Sequence, residues 1–194
     1  LASMPALVRA TREALQPGRW HLLVFAAVAV VQLLLVPGLL VSVYSGYGTV
    51  TEALEWRPVV KYGAATTALY APLLQLLGPS TDVIILANRV LGLLTVPLAA
   101  SLAVRLAGTR AAGLFAMAAT GLLVALLRDR ASESILVPMT FWATASLVLL
   151  SAWLEHGRRT DLVGLVAFGA LSLHARPEPW VVLPLLAAAL VTAA

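Results

Sequence analysis

Long apolar runs alternate with short polar segments along the chain, and most of these runs are long enough to cross a membrane. A transmembrane helix needs about 20 predominantly apolar residues, with roughly 17–25 as the range. A shorter run at 162–173 predicts a tilted or partly buried helix, and a sixth run begins at Val181. Pro37 predicts a kink in the first long run. Four runs meet the required length, namely residues 20–43, 83–107, 111–127 and 135–154.

The segment between the first two predicted spans, residues 44–82, mixes polar and apolar positions. A short helix is expected over 51–57 and should end before Pro58, because proline disfavours helix in the residue before it. A second, amphipathic helix is expected over 64–77, with a break at Pro72. Both should lie on the membrane surface. The pattern as a whole predicts an all-α, polytopic membrane helix bundle, with about six transmembrane helices and interfacial helices in its first outer loop.

Composition supports a membrane protein and excludes several other classes. The chain is 61% hydrophobic and 11% charged, with a mean hydropathy of +0.94, whereas a soluble domain is about a quarter charged. There is no cysteine, which excludes disulfides and thiolate metal sites. The arginines stand singly or in pairs between apolar runs, so we expect no nucleic-acid partner. The chain starts without methionine and stops inside an apolar run, so we interpret residues 1–194 as the N-terminal part of a longer transmembrane domain.

The basic residues orient the predicted spans. With a cytoplasmic N-terminus, the inner segments hold seven Lys and Arg residues and the outer segments hold six. Acidic residues number three inside and six outside, so the net charge is +4 for the inner segments and 0 for the outer segments. Cytoplasmic loops carry the excess of basic residues. We therefore predict a multi-pass protein of the inner or plasma membrane with its N-terminus in the cytoplasm, and three charged loops together on the outer face.

The first of these loops contains two glutamates and a lysine. Glu52 and Glu55 share one face of a helix and could ligate a metal or accept a proton from a hydroxyl. A solvated helix face would have the same pattern. Lys61, near Tyr62 and Tyr70, could hold a lipid phosphate, but basic residues beside tyrosines are also ordinary anchors at the membrane interface.

The second loop, "RDRASES", is denser in charge. Arg128 and Arg130 could bind the phosphate of a lipid carrier, because guanidinium groups match phosphate oxygens. Glu133 lies at a predicted membrane boundary, where a carboxylate is costly unless it is paired or faces water. The alternative is a plain loop in which Ser132 or Ser134 caps the following helix.

The third loop, "HARPEPW", holds His174, Arg176 and Glu178, with Pro177 and Pro179 on either side of the glutamate. A hairpin between spans needs only polar turn residues, so these charges suggest a site, although loop solvation would also explain them. Arg89 lies inside the second predicted span. A charge in a span is a candidate for function, and snorkelling of the side chain to the headgroups is the alternative.

The order of these features resembles a known enzyme family. After one span and a long outer loop come "YGAATTALYAPLLQLLG", the hairpin "NRVLGLLTVPLAASLAVRLAGTRAAGLFA", the loop "RDRASES" and finally "ARPE". From about Trp20 onward, this resembles the N-terminal catalytic half of GT-C glycosyltransferases of the protein O-mannosyltransferase and aminoarabinose-transferase type. The resemblance implies an enzyme that takes a sugar from a polyprenyl-phosphate carrier and gives it to a protein, lipid or glycan acceptor on the outer membrane face.

The resemblance also implies roles for particular residues. It places Tyr70 near the carrier lipid, and it matches Glu133 and the pair Arg176 and Glu178 to polar positions at the starts of later spans. Such enzymes usually carry an aspartate soon after the first span, but "YSGYGTVTEALEW" has none. The implied catalytic carboxylate is then Glu52 or Glu55.

The implied mechanism is a displacement at the anomeric carbon, in which a carboxylate orients or deprotonates the acceptor and arginines stabilise the phosphate leaving group. The phosphate-binding candidates are Arg128, Arg130, Arg176 and Lys61. We expect no required cofactor, with a divalent metal as the alternative. Two other functions compete with the transferase: a transporter or flippase of a lipid-linked substrate, which would carry charges at mid-depth and internal repeats, and a non-catalytic membrane scaffold.

Overall fold

The computed structural model describes most of the chain as helix. The described residues are 18–37, 43–57, 64–123, 128–130, 132, 134–175, 179, 181, 183–185 and 188; the side chains of 43–47 are outside this set. Within these residues there are seven α-helices and no strand, which confirms the all-α class. The helices are α1 Arg19–Val30, extended by a π-helical turn at Val31–Leu35, α2 Val43–Leu54, α3 Ala64–Leu77, α4 Thr81–Ala107, α5 Arg110–Leu122, α6 Leu136–His156 and α7 Arg159–Leu173.

Local sequence signals account for the ends of the long helices. The Ser80 hydroxyl accepts the backbone N–H of Asp82 and caps the start of α4. Helix α4 ends at Gly108, which has a φ of 68°, and α6 ends at Gly157, which has a φ of 63°. Only glycine adopts this left-handed conformation without strain. The turns that follow are short, so α4 with α5 and α6 with α7 form antiparallel hairpins.

Helices α4 and α6 lie side by side and run in the same direction. Near their starts, Asn88 of α4 bonds the carbonyl of Ser134, just before α6. Near their ends, Arg105 of α4 forms an ion pair with Glu155 of α6. We name the two ends of the bundle by these contacts, the Asn88 end and the Arg105 end.

Helix α1 packs along α5. A Cβ atom added at Gly121 would lie 2.3 Å from a methyl carbon of Val28, so the glycine allows the two backbones to approach closely. At the Asn88 end, α2 and α3 cover the start of α4 with a small apolar core that includes Val50, Leu74 and Ile84. Helix α7 joins the same end, because Ala175 packs with Ala65 of α3 and with Trp142.

The second and fourth predicted spans correspond to α4 and α6, and these two helices are long and apolar enough to cross a membrane. Among the described residues no other helix meets that length, so a bundle of six spans is not confirmed. In the first run the helix that begins at Arg19 ends at Leu35, and residues 38–42 lie outside the described residues. Val36 is extended, with φ −98° and ψ 114°, as expected for a residue before proline. The third and fifth runs are the shorter helices α5 and α7. Residues 124–127 and most of the sixth run lie outside the described residues.

Two details of the loop at 44–82 differ from the prediction. Helix α2 begins at Val43 and ends at Leu54, and α3 has the predicted bounds but continues unbroken through Pro72. Leu76 and Leu77 are exposed. The buried face of α3 is partly polar, because it packs on α2 and on the start of α4. Its buried residues are Ala65, Thr66, Thr67, Tyr70, Ala71 and Leu74.

Candidate functional site

A single buried amide connects three elements at the Asn88 end. Asn88 is fully buried on α4, and its side-chain oxygen accepts a hydrogen bond of 2.7 Å from the Tyr70 hydroxyl of α3. Its Nδ2 donates to the carbonyls of Ser132 at 2.8 Å and Ser134 at 3.0 Å. A buried amide with this many bonds resists movement, since each lost bond would leave a polar group unsatisfied. Asn88 therefore holds the segment before α6 against α4.

One turn further along α4, Gly92 makes room for Arg130. A Cβ at position 92 would lie 2.5 Å from both Cγ and Cδ of Arg130, closer than real side chains approach. The arginine side chain therefore crosses α4 where the helix carries no side chain. Arg130 is only 4% exposed, and its Nη1 has no hydrogen-bond partner among the described residues. A buried guanidinium with a spare donor is costly unless something else satisfies it.

The same arginine lines a small recess with a volume of about 20 Å³. A single water molecule needs about 10–15 Å³ of such space. The recess therefore admits one oxygen-sized group, such as a hydroxyl or one oxygen of a phosphate. Its lining is mixed, with two threonines, a charged pair and two apolar residues: Thr95, Asp129, Arg130, Leu136, Val137 and Thr140.

The two charged residues of the recess have shifted pKa values. Burial lowers the pKa of Arg130 to about 10, partly opposed by the neighbouring Asp129, and the guanidinium stays charged at neutral pH. Burial raises the pKa of Asp129 above its usual range, although the positive charges of Arg128 and Arg130 act to lower it. The recess is thus lined by a cation and by a carboxylate that is a stronger base than an ordinary aspartate.

Arg89 has a structural role at this end. Its Nη1 donates to the carbonyls of Gln32 at 3.1 Å and Leu33 at 3.3 Å, and its Nη2 donates to the carbonyl of Val36 at 2.7 Å. The π-helical turn and Pro37 leave these carbonyls without helical partners. Arg89 thus caps the end of the first helical segment, and it is not among the residues that line the recess.

The remaining predicted site residues that the structure describes lie near the Asn88 end but outside the recess lining. Glu55, on the turn after α2, forms an exposed ion pair with Arg57. Glu52 is partly buried on α2. Tyr70 faces Asn88, and burial raises its pKa. His174 is exposed at the end of α7, and Arg128 is exposed beside Asp129.

Of the predicted candidates that the structure describes, Arg130 lines the recess, whereas Tyr70 bonds Asn88 and is not among the lining residues. Four further candidates lie outside the described residues: Lys61, Glu133, Arg176 and Glu178.

Sequence reasoning missed Asp129, Asn88, Gly92 and the two threonines of the recess. Asp129 stands between two arginines, which favours interpreting it as their counter-ion. The signal for Asn88 was present, because an amide in the middle of an apolar run must find partners when it is buried. Gly92 in a helix is weakly informative until a neighbour is shown to need the space. Within the described residues, no group of three or more histidine, aspartate or glutamate side chains could hold a metal ion.

Comparison of the chain with protein-family models, with curated proteins and with solved structures found no match. Functional assignment therefore depends on the chemistry of the recess and on the predicted position of that recess in a membrane.

Proposed function

We propose that this protein is a membrane glycosyltransferase that moves a sugar from a polyprenyl-phosphate carrier to a protein, lipid or glycan acceptor on the outer face of the membrane. The observation that carries the proposal is Arg130, a buried guanidinium with an unpartnered Nη1, which lines a recess that admits one oxygen of a phosphate. Guanidinium groups bind phosphate oxygens with charge-assisted hydrogen bonds.

The apolar exterior supports a lipid-linked substrate. In the most apolar stretches of α4 and α6, only 39% and 44% of residues are buried inside the protein. Large apolar side chains such as Leu94, Phe115 and Val166 are exposed on three helices. A membrane would cover them, because soluble proteins rarely expose contiguous apolar patches. A polyprenyl chain lying in the bilayer could thus bring its phosphate to the Asn88 end.

The proposal includes the finer topology expected from sequence. The protein has about six spans with a cytoplasmic N-terminus in the inner or plasma membrane, so the Asn88 end faces outward. Arg130 holds the carrier phosphate and stabilises its growing charge as the bond to the sugar breaks. Asn88 and Gly92 position Arg130 through the contacts described above.

The proposal is tested with the full chain in lipid vesicles. Polyprenyl monophosphate should bind, whereas polyprenol, which has no phosphate, should bind at least about tenfold more weakly, because a hydrogen bond to a charged group contributes about 1.5–3 kcal/mol. Arg130→Ala should remove this preference for the phosphate. The matched control is Arg159→Ala, an exposed arginine on the first turn of α7 at the other end, which should bind like wild type.

A second assay measures turnover. Vesicles carrying polyprenyl-phosphate mannose or polyprenyl-phosphate aminoarabinose, with a membrane extract as the source of acceptors, should release polyprenyl phosphate. Equal binding of polyprenyl phosphate and polyprenol, together with no release from either donor, would show that the protein is not a transferase of this class. Transbilayer movement of the intact donor without sugar release would instead identify a flippase.

A further inference from the structure

A sugar transfer to a hydroxyl group needs a carboxylate at the reacting centre, to orient the acceptor and take its proton. Glu52 of α2 and Glu55 of the turn after α2 are poorly placed for this role. Neither Glu52 nor Glu55 is among the residues that line the recess, and Glu55 forms an ion pair with Arg57 at the surface. Asp129 is the acidic residue among the recess-lining residues.

The hydrogen bonds around the recess favour a ligand that brings its own hydroxyl proton. The Thr95 hydroxyl donates to the carbonyl of Leu91 at 2.7 Å, and the Thr140 hydroxyl donates to the carbonyl of Leu136 at 2.7 Å. Each hydroxyl has one proton, so both threonines can offer only acceptor lone pairs to a ligand. Arg130 also lines the recess, and its Nη1 is buried without a hydrogen-bond partner among the described residues.

The recess thus offers two kinds of contact. Arg130 supplies a positive donor for an anion, while Asp129 and the two threonine oxygens supply acceptors for hydroxyl protons. An oxygen of a carrier phosphate fits the first kind of contact, and a sugar or serine-like hydroxyl fits the second. In a glycosyl transfer from a lipid phosphate, the donor carries the phosphate and the acceptor carries the hydroxyl.

We propose that Asp129 is the catalytic carboxylate of this protein, in place of Glu52 and Glu55. This inference rests on the proposed function. In the reaction, the oxygen of the acceptor hydroxyl forms a bond to the anomeric carbon, and its proton passes to the Asp129 carboxylate. The bond between the anomeric carbon and the phosphate oxygen breaks with its electron pair on the phosphate, whose charge lies against Arg130.

The electrostatics of Asp129 agree with this role. Burial raises its pKa despite Arg128 and Arg130, which makes it a better proton acceptor than an exposed aspartate. The raised pKa also affects stability. Above its folded-state pKa the ionised carboxylate costs the folded protein free energy, and below the unfolded-state pKa that cost vanishes. Replacement of Asp129 by neutral asparagine should therefore not lower stability at pH 7.

The test compares Asp129→Asn with Asp82→Asn, which makes the same change at an exposed aspartate on the first turn of α4. In the turnover assay, Asp129→Asn should lower the release of polyprenyl phosphate by at least about 100-fold, the size of a general-base contribution. Its binding of polyprenyl monophosphate and its melting temperature at pH 7 should be no lower than in wild type. Asp82→Asn, Glu52→Gln and Glu55→Gln should each stay within about threefold of wild-type turnover, a change of about 0.7 kcal/mol.

Wild-type kcat/KM should rise with pH along an acid limb whose midpoint lies above the usual aspartate range, and Asp129→Asn should lack this limb. Full turnover in folded Asp129→Asn would overturn the role of Asp129, and so would a loss of turnover in Glu52→Gln or Glu55→Gln. Neither result would contradict the proposed transferase function. If Asp129→Asn does not fold, the pH dependence of wild-type kcat/KM tests the inference. A pH profile without the acid limb would exclude Asp129 as the base. Failure of wild type to bind polyprenyl phosphate or release it would refute the proposed function itself.

Discussion

The two ends of the helix bundle handle their charges differently. At the Arg105 end, Arg105 of α4 meets Glu155 of α6 at 2.5 Å, and each charge is neutralised by the other. At the Asn88 end, Arg89 donates to neutral backbone carbonyls, and the neighbouring Asp129 only partly offsets the cost of burying the Arg130 charge. An ion pair cancels its own field, whereas a guanidinium bound to neutral carbonyls keeps its full charge.

This difference separates a structural contact from a candidate binding site. The Arg105 end pairs its partly buried charges, although Nε of Arg105 is also buried without a hydrogen-bond partner among the described residues. At the Asn88 end, the buried amide of Asn88 and the helix glycine Gly92 hold the positive charge of Arg130 in place. Proteins retain such costly arrangements chiefly at functional sites.

The largest expected effect comes from Asn88→Ala. The change leaves the Tyr70 hydroxyl and the carbonyls of Ser132 and Ser134 without their partner. At about 1–3 kcal/mol for each unsatisfied group, and with partial rescue by water, the free energy of unfolding should fall by about 3 kcal/mol. Unfolding in mixed micelles titrated with SDS measures it, and polyprenyl phosphate binding should weaken in parallel. A loss below about 1 kcal/mol would mean that the amide is not the tie between α3, α4 and α6.

Gly92→Ala should have the next largest effect. The added methyl group would overlap the side chain of Arg130, and overpacking of this kind costs about 1–3 kcal/mol. Gly169→Ala on α7 is the control, because nothing lies within 4 Å of its added Cβ, and it should be neutral or slightly stabilising.

A double-mutant cycle sharpens this test. If Gly92 serves to seat Arg130, Gly92→Ala should cost almost nothing in an Arg130→Ala background. Equal costs with and without the arginine would show that position 92 affects stability for another reason.

At the opposite end, Glu155→Gln should lower the free energy of unfolding by about 1.5 kcal/mol, between the values for exposed and buried ion pairs, because Arg105 and Glu155 are 13% and 27% exposed. The loss should shrink at high salt, and binding of polyprenyl phosphate should not change. Weakened binding of polyprenyl phosphate in this variant would show that the Arg105 end also affects ligand binding.

The smallest effect at neutral pH is expected for Tyr70→Phe, at about 1 kcal/mol, the lower end of the range for a buried group left unsatisfied, because the Asn88 oxygen loses its donor. Burial raises the pKa of Tyr70 in the folded state, so the phenol should ionise first in the unfolded chain. Stability conferred by the neutral phenol is complete below pH of about 10 and declines above it. Melting curves from pH 7 to 11 should fall more steeply for wild type than for Tyr70→Phe, and parallel curves would contradict the buried environment of this tyrosine.

The bounds of several helices could be predicted because the signals are local. The apolar runs and their caps placed α4 and α6 within two residues of their observed limits, and the bounds of α3 were predicted correctly. Errors arose where packing outweighed local propensity. Pro72 sits inside an intact helix, and the buried face of α3 includes threonines and Tyr70 because two other helices cover it.

The sequence by itself determined that this is a helical, strongly apolar chain, where its long helices begin and end, and which loops carry charge. These properties follow from residue types and their spacing within one element. Only the tertiary structure decided that Asn88 bonds Ser132 and Ser134, that Gly92 yields to Arg130, and that Asp129 lines the recess. Such contacts join residues about 40 positions apart, and they depend on the rotation and register of packed helices, which local spacing does not encode.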